Sequence, residues 1–316
     1  MYGLAIGDAL GMPTQMLSRP EILARYGGLL GGFEPAPPGH PIAAGLPAGS
    51  VTDNTEQAVL LGRLLLNGPV DPREFAAALV AWERTMAQRG SRDLLGPSTR
   101  RAVDAILAGT PPDEAGRHGD TNGAAMRVAP VGIASRSRAT LVDDVVAASR
   151  VTHHTSVALA GAAAVAAGVR AGVAGGSVAD ALDAAVAAAR EGATRGHWVA
   201  GADVAARIEW ATGLVAGLGE VQAAEVIYTL VGTSLATQES VPAAFAVLAA
   251  VPGDPWRACL LAASLGGDCD TIAAMAGAVA GACHGADAFP PEAIAIIDAQ
   301  GLRLSPLADA LYNLSS

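Results

Sequence analysis

At 316 residues and about 31 kDa, the chain is long enough for two domains or for one large helical one. A formal net charge of −10 argues against non-specific nucleic-acid binding, which needs clustered cations to displace counterions. Apolar residues make up 51% of the chain but aromatics only 4%, and Cys259, Cys269 and Cys283 lack zinc-type or thioredoxin-type spacing. Small-residue helices in a reduced compartment are expected, with no disulfide framework and the cytoplasm as the location.

The start, Met1 to Asp8, has no basic leader and an acid by the eighth residue, so no signal peptide is expected there. Gly7-Asp8-Ala9-Leu10-Gly11 lies in a helix-like segment where each glycine costs about 1 kcal/mol relative to Ala, which close helix approach would explain. Asp8 then reads as a buried structural acid, with support of neighbouring ligands as the alternative. Glu34 to Ser50 is too rich in Pro and Gly for a helix and runs straight into Thr52. Such a loop can close over a ligand held at a helix terminus, the plainer alternative being a mobile surface loop.

Thr52-Asp53-Asn54-Thr55-Glu56 fits a helix start, and capping alone would explain it. Helical stripes follow at Val59, Leu60, Arg63, Leu64 and Leu66 and at Phe75, Leu79, Val80, Trp82 and Met86. The pattern predicts further helices near 98–108, 139–151, 155–174, 177–191, 199–218, 239–250, 255–265, 271–285 and 291–299. No run shows the period-two, β-branched alternation of strands, so an all-α fold is expected.

A second long connection, Gly109 to Thr121, leads into Asn122-Gly123-Ala124-Ala125-Met126-Arg127. That segment reads as an N-cap, free backbone N–H groups and one arginine, the makings of an anion seat. In Thr152-His153-His154-Thr155 no His-x-x-x-His follows, so a hydrogen-bonding or stacking role at a ligand is expected and zinc is not. His40, His118, His197 and His284 are isolated and receive no role. The apolar runs Val157–Val169 and Ile272–Cys283 fall short of the roughly 18 to 20 residues of a membrane span, and buried helices explain them better.

Gly266-Gly267-Asp268-Cys269-Asp270-Thr271 carries the strongest chemical signal. Aspartates two apart do not share a helix face, but on a Gly-Gly turn entering a helix they can converge on one point. Capping needs one acid, and a second on the threshold of an apolar run is costly without a counter-charge. Asp, Asn and Thr offer only oxygen ligands, which hard divalent cations prefer. If this cluster and Thr52-Asp53-Asn54 build one site, the ends of the chain meet and residues 1–316 form a single domain.

Taken in order, GDALG at Gly7, TDNT at Thr52, NGAAMR at Asn122, THHTSVA at Thr152 and GGDCDTIAA at Gly266 resemble the ADP-ribosylglycohydrolase family over nearly the whole chain. The resemblance implies a single all-α domain of many orthogonally and antiparallel-packed helices around a cleft with two divalent cations, Mg2+ or Mn2+. It also implies hydrolysis of an N- or O-glycosidic bond at the anomeric carbon of ribose. By position, Thr52, Asp53 and Asn54 match one metal-binding triplet, and Asp268, Asp270 and Thr271 match the other, with Asp270 as a bridging ligand. Asn122, Gly123, Met126, Arg127 and His153 match stretches that contact ADP-ribose in relatives.

The sequence departs from the family pattern at Asn54, where Asp is common, and at Gln15, where Glu is common. Three carboxylates, Asp53, Asp268 and Asp270, remain against the +4 of two ions, and Gln15 is left as a neutral group on the substrate side. Glu56, one turn along from Thr52, could restore a carboxylate or act only as a surface acid. The expected activity is metal-dependent hydrolysis of an ADP-ribosyl bond in a small-molecule or protein-linked substrate, with Asp53, Asp268, Asp270 and Glu56 as catalytic candidates. The alternatives are a nucleosidase acting on a free nucleoside or small ribosyl compound, and a module that binds ADP-ribose or metal without turnover.

Overall fold

The computed structural model describes residues 1–88, 95–135, 137 and 139–315, and every regular element among them is helical. In chain order these are α1 (Tyr2–Gly11), α2 (Arg19–Tyr26), α3 (Asp53–Leu65), α4 (Pro72–Gln88), α5 (Pro97–Leu107) and α6 (Pro112–Ala115). Then come α7 (Ala129–Ala134), α8 (Leu141–Ser149), α9 (Ser156–Val173), α10 (Val178–Gly192), α11 (Val204–Val215) and α12 (Glu220–Val226). A π-turn, Ile227–Val231, leads to α13 (Thr237–Ala250), α14 (Pro255–Ala263), α15 (Cys269–His284), α16 (Pro291–Asp298) and α17 (Leu304–Ser315). Eight of the nine later helices expected from spacing appear with ends moved by one or two residues. The one expected over 199–218 starts only at Val204, because the Asp203 side chain accepts from Ala206 N at 2.7 Å and caps it there. Helices α2, α6, α7, α12 and α17 have no counterpart among those expected, although Ser18 and Glu21 form a reciprocal capping box that announces α2.

Helix α15 is buried from Cys269 to Ala280 and forms the centre of the fold. Helix α1 lies against it through Gly3, Gly7 and Gly11, one residue per turn on one face. A Cβ on Gly7 would stand 2.0 Å from the carbonyl oxygen of Ala273, and one on Gly11 would stand 2.2 Å from Cα of Asp270. Close approach is therefore what these glycines are for, as their cost in a helix implied. The same contact brings the first and last parts of the chain together within one all-α domain.

Helix α9 meets the length and composition of a membrane span, being 18 residues long, which exceeds the apolar run seen in the sequence. It is mostly buried, and α10, α13 and α15 pack around it. The 34–50 connection is pinned on the end of α1 by His40, whose Nε2 lies 2.9 Å from the carbonyl oxygen of Gln15 and whose Nδ1 accepts from Ala43 N at 2.9 Å. The second connection contains α6, then packs Gly116 and Gly119 on the 150–153 backbone, where a Cβ would meet Arg150 O or Thr152 O at about 2 Å.

Candidate active site

Asp8, in the middle of α1, organises the first acidic cluster. Its carboxylate is fully buried and accepts from Thr52 N (2.9 Å), Thr52 Oγ1 (2.6 Å), Asn54 Nδ2 (3.1 Å), Thr55 N (3.2 Å) and Thr55 Oγ1 (2.5 Å). Burial raises its pKa, and these hydrogen bonds work against that rise. The start of α3 is thereby locked to α1, and Asp53 stands at the cavity wall with Oδ2 accepting from Gln57 Nε2 at 2.9 Å.

The second cluster is set by a turn that needs glycine, with φ of +92° at Gly266 and +70° at Gly267. Residues 16–17 clamp it, Met16 N donating to Gly267 O at 2.7 Å and Gly267 N to Leu17 O at 2.9 Å. Asp268 occupies the N-cap position of α15 yet makes no side-chain cap bond. Its Oδ2 accepts from Asn122 Nδ2 at 2.5 Å and its Oδ1 from Thr271 Oγ1 at 3.2 Å. Asp270 Oδ2 accepts from Asn54 Nδ2 at 3.1 Å, while Asp270 Oδ1 is buried with no hydrogen-bond partner. Neither acid is used for capping, which removes the plain structural account of the pair.

Asp53, Asp268 and Asp270 share the wall of a cavity of about 170 Å3 with Gln15, Asn122, Gly123, Met126 and Thr271. Larger recesses lie elsewhere among the described residues, about 700 Å3 among α8, α9 and α10, about 500 Å3 between α3 and α4 and about 220 Å3 among α7, α9, α15 and α17. None of them contains any of these three aspartates, so volume is the weaker guide here. Burial raises Asp53 well above the ordinary carboxylate range, and the charges of Asp8, Asp268 and Glu56 add to it. Burial also pushes Asp268 up to about 6, and burial followed by repulsion from Asp268, Asp8 and Asp53 raises Asp270 well above that ordinary range. Acids so crowded hold protons or attract a cation.

Several candidates from the sequence stand behind the wall. Thr52 and Asn54 are buried in the Asp8 network. Arg127 is fully buried, with Nη1 donating to Gln57 Oε1 at 3.0 Å, Nη2 to Thr152 Oγ1 at 2.5 Å, and its guanidinium 4.9 Å from the Phe75 ring centre. The expected anion seat is also not a helix start: residues 122–127 form successive turns, and α7 begins only at Ala129, because Asn122 N is drawn to Leu235 O at 3.1 Å. Arg127 lowers the pKa of Asp53 from behind, so its charge serves the acids. Arg127→Met is expected to cost about 1–3 kcal/mol in denaturant unfolding, since Gln57 Oε1 and Thr152 Oγ1 would each lose a buried charged donor. Full stability with a raised KM alone would return Arg127 to the substrate.

His153 is likewise buried, its Nε2 3.1 Å from Thr121 Oγ1 and its Nδ1 2.7 Å from Thr152 Oγ1. Burial, then the charge of Arg127, holds its pKa well below the usual value, so the ring is neutral and orients Thr121, a cavity residue. Glu56 is not in the cavity wall: although positions 53 and 56 are neighbours on α3, its Oε2 accepts from Trp82 Nε1 at 2.6 Å, which turns the carboxylate into the α3–α4 recess. Thr121, Met16, Ile42 and Leu235 also line the wall, as does the 95–99 segment, and none of them was legible as a site residue. Only the fold brings them there, although the long loop ahead of Thr52 did signal the cover that Ile42 provides.

The family model for ADP-ribosylglycohydrolases matches residues 1–316. The chain belongs to the ADP-ribosylglycohydrolase family. It is 36% identical over 304 residues to the uncharacterized protein YegU of Escherichia coli K12, covering 95% of this chain and 90% of that protein. An uncharacterized protein of Archaeoglobus fulgidus is 35% identical, covering 89% and 85%. The ADP-ribosyl-dinitrogen reductase glycohydrolase of Rhodospirillum rubrum is 26% identical, covering 99% and 94%. Among solved structures, an ADP-ribosylglycohydrolase-related protein complex matches with a TM-score of 0.69 at 26% identity, covering 99% of this chain and 95% of that one. This family member thus carries all three aspartates of its two acidic clusters on one cavity wall.

Proposed function

We propose that the protein hydrolyses a ribosyl glycosidic bond with the help of a divalent cation, on an ADP-ribosyl or related ribosyl compound. The observation that carries this reading is the meeting of Asp53, Asp268 and Asp270 in one cavity, from opposite ends of a chain of this family. The donor set fits a hard cation in kind: carboxylates and a threonine hydroxyl, one buried carboxylate oxygen without a partner, and no neutralising charge within the wall. Among the described residues no three His, Cys, Asp or Glu side chains converge tightly enough to form a closed shell, so water and substrate hydroxyls would complete it. Asp53, Asp268, Asp270 and Thr271 are the residues that would hold it. When bound, Mg2+ or Mn2+ supplies a water of lowered pKa and fixes ribose hydroxyls.

The chain's own groups provide the rest. Asn122, fixed between Ser240 Oγ (3.0 Å) and Asp268, orients that carboxylate, and Gly123 lets the His153 ring pack on its backbone, where a side chain would meet that ring at 2.8 Å. Asp53, with its raised proton affinity, is placed to take a proton from the attacking water. The cytoplasm remains the proposed location.

One observation favours a substrate without a diphosphate. No basic side chain lines the cavity among the described residues, Arg127 being buried behind it, and about 170 Å3 suits a pentose better than a whole ADP-ribose. Comparing ADP-ribosyl-arginine, O-acetyl-ADP-ribose and a panel of nucleosides decides this: turnover of nucleosides alone selects the second reading, and turnover of the ADP-ribosyl compounds alone selects the first. Binding of ADP-ribose with no hydrolysis of any of them would sink both.

Cation binding also has a pH signature. Asp53, Asp268 and Asp270 bind protons more tightly in the fold than in the unfolded chain, where a carboxyl titrates near 4. Their stabilising contribution is thus complete below about pH 4 and is lost as the pH rises through about 6, the value for Asp268. A cation compensates the charge that appears. At about a hundred-fold excess over Kd it should add roughly 2.7 kcal/mol at pH 7.5 and much less at pH 5. Thermal melts with and without Mn2+ measure the difference, and a shift that does not change with pH would take the carboxylates out of the cation site.

A further inference from the structure

We infer that the cavity takes a single divalent cation, because the Asn54 amide already stands between Asp8 and Asp270 where a second ion would have to be held. The inference rests on the cation-dependent reading above and goes beyond it to the number of ions. Asn54 is fully buried, and its Nδ2 lies 3.1 Å from Asp8 Oδ1, 3.1 Å from Asp270 Oδ2 and 3.0 Å from Thr52 Oγ1. On its other side, Asn54 Oδ1 accepts from Thr271 Oγ1 at 3.2 Å. The orientation of the amide follows from these neighbours: turned over, its oxygen would face two carboxylates. An amide NH2 group has only donors to offer and does not ligate a hard cation.

Thr52 is closed in the same way. Its hydroxyl donates to Asp8 Oδ1 at 2.6 Å and accepts from Asn54 N at 3.4 Å and Asn54 Nδ2 at 3.0 Å, which uses its one proton and both of its lone pairs. Of the six donors expected from the sequence, Thr52 is therefore committed to Asp8 and Asn54, and Asn54 to Thr52, Asp8 and Asp270 through Nδ2 and to Thr271 through Oδ1. Those left form one group, Asp53, Asp268, Asp270 and Thr271, enough for one octahedral ion that keeps several waters. The Asn54 amide does for Asp8 and Asp270 what a second cation would do, by placing hydrogen between two acids.

Titration of the metal-free protein with Mn2+, followed by calorimetry and electron paramagnetic resonance, reads the number of ions without using activity. Saturation at one equivalent with the six-line spectrum of an isolated ion is expected, any second ion binding at least about 100-fold more weakly. Asn54→Asp is expected to take a second equivalent and give a spin-coupled spectrum. Two tight equivalents in the wild-type protein would overturn the inference and leave the cation-dependent reading standing. No saturable binding at all would overturn both. A folded Asn54→Asp protein that still stops at one ion would overturn the role given to Asn54, and if that variant does not fold, the wild-type count decides alone.

Discussion

Asp270→Asn is expected to lower hydrolysis of every ribosyl substrate by on the order of 10^3-fold or more, with the metal-free protein still folded. The side chain belongs to the cavity wall, its Oδ1 is buried without a partner, and its Oδ2 is held by Asn54. Replacing it with an amide of the same shape keeps the packing and removes one of three mutually repelling charges. The metal-free variant should therefore melt at the same temperature as the wild type at pH 7.5 or above it, since the acid it lacks is one that burial and its neighbours disfavour in the charged state. The rise in melting temperature on adding Mn2+ should shrink in parallel with the activity. Retained hydrolysis, or hydrolysis that survives complete removal of divalent cations, would end the proposed mechanism.

Gly11→Ala should cost about 4 kcal/mol or more and carry activity with it. Overpacking usually costs about 1–3 kcal/mol because side chains can give way, and here the neighbour is backbone. The added Cβ would fall 2.2 Å from Cα and 2.6 Å from N of Asp270. Either α1 separates from α15 along its whole length or the first turn of α15 moves. In the second case Asp270 leaves its place opposite Asn54, and activity falls with stability. Denaturant unfolding and cation titration of the same variant separate the two effects. A Gly11→Ala protein of wild-type stability would contradict the contact. Substitution at Gly213, where a Cβ meets nothing within 4 Å, is the control, and should fall within about 0.5 kcal/mol of wild type.

Much of this protein was legible from the chain alone, for identifiable reasons. Helical period, caps and glycines are local signals, so most helices could be placed within one or two residues, and the unexpected glycines in α1 correctly announced a close helix contact. The Gly-Gly turn before Asp268 showed where two acids could stand off a helix face, and the order of five short motifs pointed to the family that the comparisons then showed. Residue type alone set the chemistry, since Asp, Asn and Thr provide oxygen and nothing softer.

What each of those residues does with its oxygen was settled only by the tertiary structure. Thr52, Asp53 and Asn54 are consecutive, yet Asp53 faces the cavity while Thr52 and Asn54 turn to Asp8, because helical geometry sends neighbouring side chains in different directions and α1 supplies an acid on one side only. Arg127 and His153 looked like ligand contacts because a buried cation and a buried imidazole cannot be told from exposed ones by type. Burial made the first a counter-charge for Asp53 and the second a neutral support for Thr121. The sequence by itself determined the helices, the family and the kind of ligand atoms, since these depend on local pattern and residue chemistry. The tertiary structure decided which atoms remain open to a ligand, since that depends on partners from α1, α3 and α15 that meet only after the chain has folded.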